Sequence, residues 1–409
     1  MFALFAIVFV GLLGVTLVIP LFPFFAYRVN AGPDMITAIM AVYAAGQFIA
    51  APFWGKVSDS IGRKPVFLIS TIGGVISYVM LGFADSIEML LLSRAFGGLM
   101  AGNVAVAFAS MSDLTTNENR AKGMGLIGGA FNLGFIAGPA MGGILAGNDA
   151  ASANLPMIAF VAGSLSAVAF FATLFFLPET FPPERRRQKA EAAAAAAAQP
   201  NGPRGGFKGI WLKPALAMLV ILGFVYVAAG SMLDTTFALY ANVVLGYGPR
   251  DIGFLFSYLG VIGGIVQIGT IGPLVKRVGD ANIVKIGIGI YAVGLSILVV
   301  SEWLPLIIIA MTCVSVGNSL FLPGANSLVS RLAPDHERGM VLGVYQAANN
   351  LGRVITPLFS GLVFAKVGTH APFMVGLVLL IPAVVLIFSI AKRAPHLPLP
   401  PPQGAQSMR

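Results

Sequence analysis

Apolar stretches about as long as a helix needs to cross a hydrocarbon core of about 30 Å recur along this chain, each closed by a short polar break. The pattern predicts twelve membrane-spanning helices, over residues 2–27, 35–57, 65–84, 88–112, 121–147, 155–177, 212–242, 251–276, 281–300, 304–330, 337–366 and 371–391. These are spans 1 to 12. The first stretch lacks the basic start and small-residue cleavage pattern of a signal peptide and runs straight into Pro20 and Pro23, so it reads as span 1. The longest polar break, 178–211, holds Arg185, Arg186 and Arg187, an alanine run from Ala192 to Ala198, and QPNGPRGG. Its composition is that of a linker, helical at most over the alanines, with its basic residues holding it in the cytoplasm. The expected organisation is a six-helix bundle over 1–177, the linker over 178–211, a second six-helix bundle over 212–392 and a cytoplasmic tail over 393–409.

Composition agrees with the pattern. Of 409 residues 57% are hydrophobic and 10% charged, which no soluble domain of this size would carry on its surface. The fold class is therefore an all-α membrane protein. Apart from Arg94 and Arg353 inside spans, and Arg28, Arg250 and Lys366 on the other side, every Lys and Arg lies in or beside the loops after spans 2, 4, 6, 8 and 10 or in the tail. That asymmetry puts both termini in the cytoplasm. It also accounts for the net charge of +9, so no nucleic-acid partner is implied. A single cysteine, Cys313, allows no internal disulfide, and His336, His370 and His396 are too scattered for a metal site. No cofactor motif and no catalytic residue set is present, and the lack of a phosphate loop of the form G-x4-G-K-[ST] points to an ion gradient as the energy source.

Shifted against itself by a fixed interval, the chain repeats. NRAKGMGLIGGAFNLGFIAGPAMGG in span 5 falls on ERGMVLGVYQAANNLGRVITPLFSG in span 11: Arg120 meets Arg338, Gly125 meets Gly343, Asn132 meets Asn350, Gly134 meets Gly352, Pro139 meets Pro357 and Gly143 meets Gly361. A weaker match, with a shift one residue shorter, sets GKVSDSIG from Gly55 against GPLVKRVG from Gly272. Two related halves imply a pseudo-two-fold axis along the membrane normal and a substrate cavity between them near the midplane, the architecture of alternating access.

The stretch Gly55-Lys-Val-Ser-Asp59-Ser-Ile-Gly62-Arg63-Lys64 resembles the signature loop between helices 2 and 3 of the major facilitator superfamily, and the layout is similar over nearly the whole chain. Its glycines allow a tight turn and close helix approach, Asp59 can face a helix N-terminus, and Arg63 with Lys64 fixes the loop in the cytoplasm. The resemblance implies a loop that stabilises the outward-facing state, Asp59 bridging to the other half and pairing with Arg63 and with Asp113 at the end of span 4. Ser60 departs from the pattern, which usually has a basic residue there.

In span 5, Gly125, Gly134, Gly138-Pro139 and Gly142-Gly143 fit G-x8-G-x3-G-P-x2-G-G, which the resemblance associates with helix 5 of drug–proton antiporters. Gly134, Gly138 and Gly142 lie four apart and form one smooth stripe for a neighbouring helix, a feature that ordinary membrane packing also produces. Pro139 removes a backbone bond and bends the helix. The resemblance gives this helix a part in rocking and in sealing against proton leak. Thr356 and Ser360 replace Gly138 and Gly142 in span 11, so the signature is confined to span 5.

Proton-driven transport needs a titratable group inside the bilayer, where charges are costly. Only Asp234 of span 7 lies well within a hydrophobic stretch. It serves proton or cation coupling, or it is a residue reached by water from outside, or it makes a structural hydrogen bond. Arg94, in LLLSRAFGGLMAG, resembles the helix 4 motif implicated in proton transfer, although Gly97 stands where that motif often has Gln. A guanidinium keeps its proton, so Arg94 would tune a nearby acid or water, or act as a structural counter-charge. Arg353 has Phe135 as its counterpart in span 5 and would contact an anionic substrate or pair with Asp234. Tyr43, Gln47, Asn132 and Asn350 are candidate cavity positions or interhelical hydrogen-bond partners.

Within the superfamily, IPLFPFF, YAAGQFIAAPFWGKVSD and the segment from Asp113 to Arg120 are similar to the twelve-helix drug–proton antiporters, including the tetracycline exporters. In the exporters compared, helix 1 carries an acid a few residues before its Pro-x-x-Pro segment; here Gly11 takes that place. The resemblance implies a proton-coupled antiporter, acting as a monomer in the cytoplasmic membrane, that exports small amphiphilic or cationic compounds, with tetracycline as one candidate. Its partners would be the small-molecule substrate, protons and the lipid bilayer. The alternative is a transporter of a metabolite such as a sugar, siderophore or organic anion, because a fold does not fix a substrate.

Overall fold

A computed structural model of the chain describes residues 1–116, 119–149, 153–188, 191, 213–333 and 337–393. The alanine run, most of the expected linker, His336, His396 and the tail beyond 393 lie outside the described residues. Every regular element among the described residues is helical.

Span 1 runs from Phe2 to Arg28 and tightens to a 3-10 turn at Ile19–Leu21, where Pro20 and Pro23 withhold backbone donors. Span 2, Pro33–Ile61, and span 3, Arg63–Gly82, are separated by Gly62 alone. The polar segment expected as a loop from Gly55 is thus the last turns of a helix, followed by a one-residue corner. Gly62 adopts φ 106° and ψ 165°, a conformation essentially reserved for glycine. Gly55 is helical, and a methyl placed on it would have nothing within 4 Å, so the close approach expected of it is absent.

Span 4 is broken into Ile87–Met100 and Asn103–Asp113. The break is held from both sides: the Gly102 N–H donates to Ser70 Oγ at 3.1 Å, Ser70 Oγ donates to the Met100 carbonyl, and Trp54 Nε1 donates to the Leu99 carbonyl at 2.7 Å. Span 5 is Arg120–Ala146 and span 6 Leu155–Phe176, the latter capped by Asn154 Oδ1, which accepts from the Met157 N–H at 3.2 Å. Span 7 is Pro214–Leu245. Span 8 begins as Pro249–Ile265, widens to a π-helical turn at Val266–Thr270 and ends in Ile271–Val278. Spans 9 to 12 are Asp280–Val300, Leu304–Leu332, Arg338–Lys366 and Ala371–Arg393.

Among the described residues 11 of these passages are long and apolar enough to cross a membrane. Span 11 has the length, with 29 residues, but carries Gln346, Asn349, Asn350 and Arg353 along its middle. Large apolar side chains such as Phe175, Ile268 and Val300 are exposed, which suits lipid and not water. The chain is an all-α, multi-pass membrane protein.

Contacts gather the chain into two compact units. The first comprises Met1–Arg204, Asp234–Val261 and Arg353–Thr369; the second comprises Gly205–Leu233, Ile262–Gly352 and His370–Arg409. The second half of span 7, the first half of span 8 and the second half of span 11 therefore pack with spans 1 to 6. A division made by packing differs in kind from the six-plus-six division made by sequence repeat. Inside the first unit, spans 1 and 5, 3 and 6, and 2 and 4 pair closely. Spans 2 and 4 cross at Gly46 and Gly98, whose backbones leave no room for a methyl on either side. Inside the second unit, spans 9 and 10 cross at Gly287 and Gly317, and the Tyr226 ring stacks on Phe321 at 3.5 Å.

Gly279, before span 9, has φ 78° and ψ 160°, the same glycine-only region as Gly62 at the position that the sequence repeat assigns to it. Gly62→Ala and Gly279→Ala should each lower unfolding stability by about 1–3 kcal/mol, while Gly55→Ala should be neutral or slightly stabilising. Thermal unfolding of the three solubilised variants measures this; an unaffected Gly62→Ala protein would remove the backbone argument.

Candidate functional site

The corner at Gly62 is organised by Arg63, which is buried. Its Nη1 meets Asp59 Oδ1 at 2.9 Å and its Nε meets Asp113 Oδ2 at 3.0 Å. Nη1 also donates to Ser58 Oγ, and the guanidinium lies 4.7 Å from the centre of the Phe181 ring. Asp59, Arg63 and Asp113 are thus brought together. Lys64 stands apart from them, its Nζ donating to the Leu174 carbonyl at 2.8 Å.

Glu179, just after span 6, was missed by sequence reasoning. Its carboxylate accepts from the backbone N–H groups of Arg63 at 2.9 Å, Lys64 at 3.2 Å and Phe181 at 2.8 Å. A carboxylate on the free N–H groups of a helix start satisfies orphan donors and complements the helix dipole. Arg185 donates to the Asp113 carbonyl at 3.3 Å, and Arg186 to the carbonyls of Ser60 and Phe181, both at 3.0 Å. Arg185 and Arg186, expected only to hold a linker in the cytoplasm, therefore bind the corner itself. The local signal was the acid in LPET, visible at the end of span 6 but without a partner in sequence.

Span 5 uses its glycines on two faces. A methyl at Gly134, Gly138 or Gly142 would strike Leu12, Thr16 or Leu17 of span 1, and Thr16 Oγ1 donates to the Gly134 carbonyl at 2.8 Å. On the other face Gly143 lies against Arg250 and Gly253 of span 8, and Gly253 lies against the Pro139 carbonyl. The Arg250 N–H donates to the Gly147 carbonyl at 3.2 Å, and its Nη1 to Asn148 Oδ1 at 3.2 Å. Gly125, although part of the motif, has nothing within 4 Å. The repeat reappears in packing: Gly352 meets Phe224 and Ala228 of span 7 as Gly134 meets span 1, and Gly361 meets Pro33, Asp34 and Thr37 of span 2 as Gly143 meets span 8.

Arg94 is buried among rings. Its guanidinium carbon lies 5.8 Å from the centre of Phe22, 5.6 Å from Tyr43 and 5.7 Å from Tyr78. Nε and Nη2 are buried without a hydrogen-bond partner, and no acid among the described residues pairs with it. The nearby acid expected for Arg94 to tune is absent among them; aromatic faces surround it. Gly97 permits this arrangement, because a methyl there would strike Ser77 and approach the Tyr43 ring.

Asp234 and Arg353 both belong to the first unit and both have exposed side chains, although Leu233 and Thr235 beside Asp234 are buried. Within the same unit Arg353 carries the charge opposite to that of Asp234. Spans 7 and 11 are joined next to it by Thr235 Oγ1 and Ser360 Oγ, 2.9 Å apart. Tyr43, Gln47, Asn132 and Asn350 are all half-buried; in span 11 the buried amide is Asn349. Gly11 borders a small cavity shared with Thr71 and Asn103. In the second unit, Asp280 Oδ2 meets Arg331 Nη1 at 2.8 Å. By the sequence repeat these residues stand where Arg63 and Asp113 stand, with the charges exchanged.

The Major Facilitator Superfamily model matches residues 4–271 and 268–408. The chain belongs to the Major Facilitator Superfamily. Among similar proteins, Multidrug resistance protein 2 of Bacillus subtilis (strain 168) is 25% identical over 368 residues, covering 90% of this chain and 89% of its own. Tetracycline resistance protein, class B, of Escherichia coli is 28% identical over 357 residues, 86% of this chain and 85% of its own. Quinolone resistance protein NorA of Staphylococcus aureus (strain MRSA252) is 26% identical over 391 residues, 94% and 95%. The fold is shared with the human organic anion transporter MFSD10 (TETRAN), at TM-score 0.69, 24% identity and coverage of 94% of this chain and 98% of that one. It is shared also with the nucleoside transporter NupG, at TM-score 0.72, 14% identity and coverage of 96% and 98%. As a superfamily member the chain belongs among transporters, with a small-molecule substrate and the lipid bilayer as its partners.

Glu179→Ala should lower unfolding stability by about 1.5–3 kcal/mol, the range for hydrogen bonds to a charged group, and Glu179→Gln by less. Thermal unfolding of both variants tests this, and a Glu179→Ala protein as stable as the parent would deny Glu179 its hold on the corner.

Proposed function

We propose that this chain exports small amphiphilic or cationic compounds, of the kind handled by drug and multidrug exporters, across the cytoplasmic membrane in exchange for protons. It acts as a transporter and not an enzyme, as a monomer, with both termini in the cytoplasm. Residues 1–177 and 212–392 form the two moving halves, joined by 178–211 and followed by the tail from 393. The observation that carries the reading is span 5, whose stripe of Gly134, Gly138 and Gly142 lies on span 1 while Gly143 lies on span 8. Such smooth, close contacts suit surfaces that must part and reseal, and the full motif goes beyond ordinary membrane packing. Similarity to proteins named for multidrug, tetracycline and quinolone resistance supports the substrate class.

Asp234 carries the coupled proton, with Arg353 setting its affinity and Arg94 contributing a fixed positive charge. Asp234 releases its proton toward the cytoplasm as substrate binds, the halves rock outward, and protonation from outside displaces the substrate. The corner of Gly55, Asp59, Gly62, Arg63, Lys64 and Asp113 biases the two states, and Gly134, Gly138, Pro139, Gly142 and Gly143 give span 5 the smooth surfaces that part and reseal during the exchange, while Gly125 completes the motif without a close contact. Tyr43, Gln47 and Asn132 in the first unit, and Asn350 in the second, are the candidate substrate-contacting positions.

The test is the pH gradient across energised inside-out vesicles containing the protein, followed as tetracycline, ethidium and other lipophilic cations are added in turn. A compound-dependent collapse, absent from control vesicles, is expected. Asp234→Asn should abolish that collapse and uphill export while leaving substrate binding measurable. Export by Asp234→Asn at the parental rate would sink the coupling assignment, and no collapse with any compound would sink proton exchange for these substrates.

A further inference from the structure

Arg63 and Arg94 are both buried arginines of the first unit, yet they are satisfied differently. Arg63 meets two carboxylates and a hydroxyl. Arg94 meets three ring faces, which attract the cation but leave in-plane N–H donors unanswered. The unanswered atoms are Nε and Nη2. In a planar guanidinium the N–H groups of these two nitrogens lie along one edge and point the same way, the fork that a carboxylate accepts with both oxygens. Leaving such a charge desolvated without a counter-ion is costly, and the chain supplies no acid to it among the described residues.

We propose that this edge of Arg94 is the anchor for the carboxylate of an aromatic, amphiphilic substrate, whose ring packs among Phe22, Tyr43 and Tyr78. The assignment rests on the export reading and adds to its amphiphilic substrates those that carry a carboxylate. Phe22 and Tyr78 are buried at 3% and 6% exposure, whereas Tyr43 is half-buried. Tyr43 is therefore the wall that moves when a ligand enters. Its backbone is fixed, because the Tyr43 carbonyl and Gly46 are pressed against Gly98 of span 4, so entry requires turning the ring and not shifting the helix. Arg94 is fixed from the other side, since the Ser93 carbonyl next to it accepts from Ser77 Oγ at 2.8 Å.

The test compares 2-naphthoate with its neutral counterpart 2-naphthamide on the full-length protein in lipid nanodiscs, with binding read as a saturable rise in unfolding temperature. Naphthoate should bind about tenfold or more tightly than naphthamide, as expected when a charge-assisted bidentate pair replaces neutral bonds. Arg94→Gln should erase that preference, and Arg94→Lys should keep only part of it because a lysine cannot form the fork. Should Arg94→Gln fail to fold, Tyr43→Leu gives an independent reading: it removes one wall, so naphthoate should weaken several-fold while still outbinding naphthamide. Equal binding of the two compounds by the parent would overturn the proposal, as would a preference that survives Arg94→Gln or a Tyr43→Leu protein that binds naphthoate unchanged. A full response to chloride or acetate, with nothing added by the naphthalene ring, would also overturn it by making the site one for small anions. Because binding is read without a proton gradient, a failed vesicle experiment and a failed naphthoate experiment refute different statements.

Discussion

A guanidinium removed from water must have its hydrogen bonds returned, or it destabilises whatever surrounds it. Arg63 obtains them from two separate stretches of chain and gains a ring contact from a third. Asp59 and Ser58 end span 2, Asp113 ends span 4, and Phe181 follows span 6. Arg63 itself opens span 3, whose first N–H groups are held by Glu179. Satisfying this one side chain therefore ties four spans at a common level. Gly62 is the backbone condition for it, since only a residue at that φ and ψ lets span 2 end and span 3 begin within a single position. The second unit solves the same corner with Gly279 in the same conformation, but its Asp280 faces Arg331. Backbone geometry is kept across the repeat while the polarity of the ion pair is inverted. What the corner requires is a pair of opposite charges joining the start of one span to the end of the next, with either sign on either side.

Close helix approach is the second condition, and it is met by the absence of side chains. Gly46 with Gly98 sets spans 2 and 4, Gly138 and Gly142 set span 5 on span 1, and Gly143 with Gly253 sets span 5 on span 8. Without a hydrophobic driving force between helices in lipid, association relies on van der Waals contact and on hydrogen bonds such as that from Thr16 to the Gly134 carbonyl. Pro139 fits this scheme, because the carbonyl beside its ring is where Gly253 makes its approach. Position in a motif is a poor guide to contact, however: Gly55 and Gly125 have open space where Gly62 and Gly138 have none.

Periodicity alone located the helical passages, because a hydrocarbon core demands long apolar runs and the breaks between them are strongly polar. The repeat was legible too, and it extends to which spans Gly134, Gly352, Gly143 and Gly361 touch. Contacts between distant segments were not legible. Nothing local to Glu179 names Arg63, and nothing local to Ser70 announces that span 4 breaks at Gly102. A Ser, a Gly and an Ala inside an apolar run read as continuous helix until a hydroxyl from another span supplies the missing bond. The facing of a side chain was not legible either, because hydrophobic context along the sequence does not state it. Asp234 sits between two buried residues and is itself exposed.

That exposure changes what coupling asks of span 7. A carboxylate enclosed in apolar surroundings would need a path for its proton; one on an accessible face needs only a change in what lies opposite it. In the proposed cycle the change is supplied by span 11, which carries Arg353 and is tied to span 7 through Thr235 and Ser360. Arg353 and Ser360 are seven positions apart on one helix, about 10 Å along its axis, so a rotation or bend of span 11 near Pro357 would move the guanidinium while the hydroxyl pair acts as pivot. Phe135, the counterpart of Arg353 in span 5, has no charge to move. The repeat thus keeps the glycines at 134 and 143 and the proline at 139 in both copies, while the charge that can act on Asp234 appears in one copy alone.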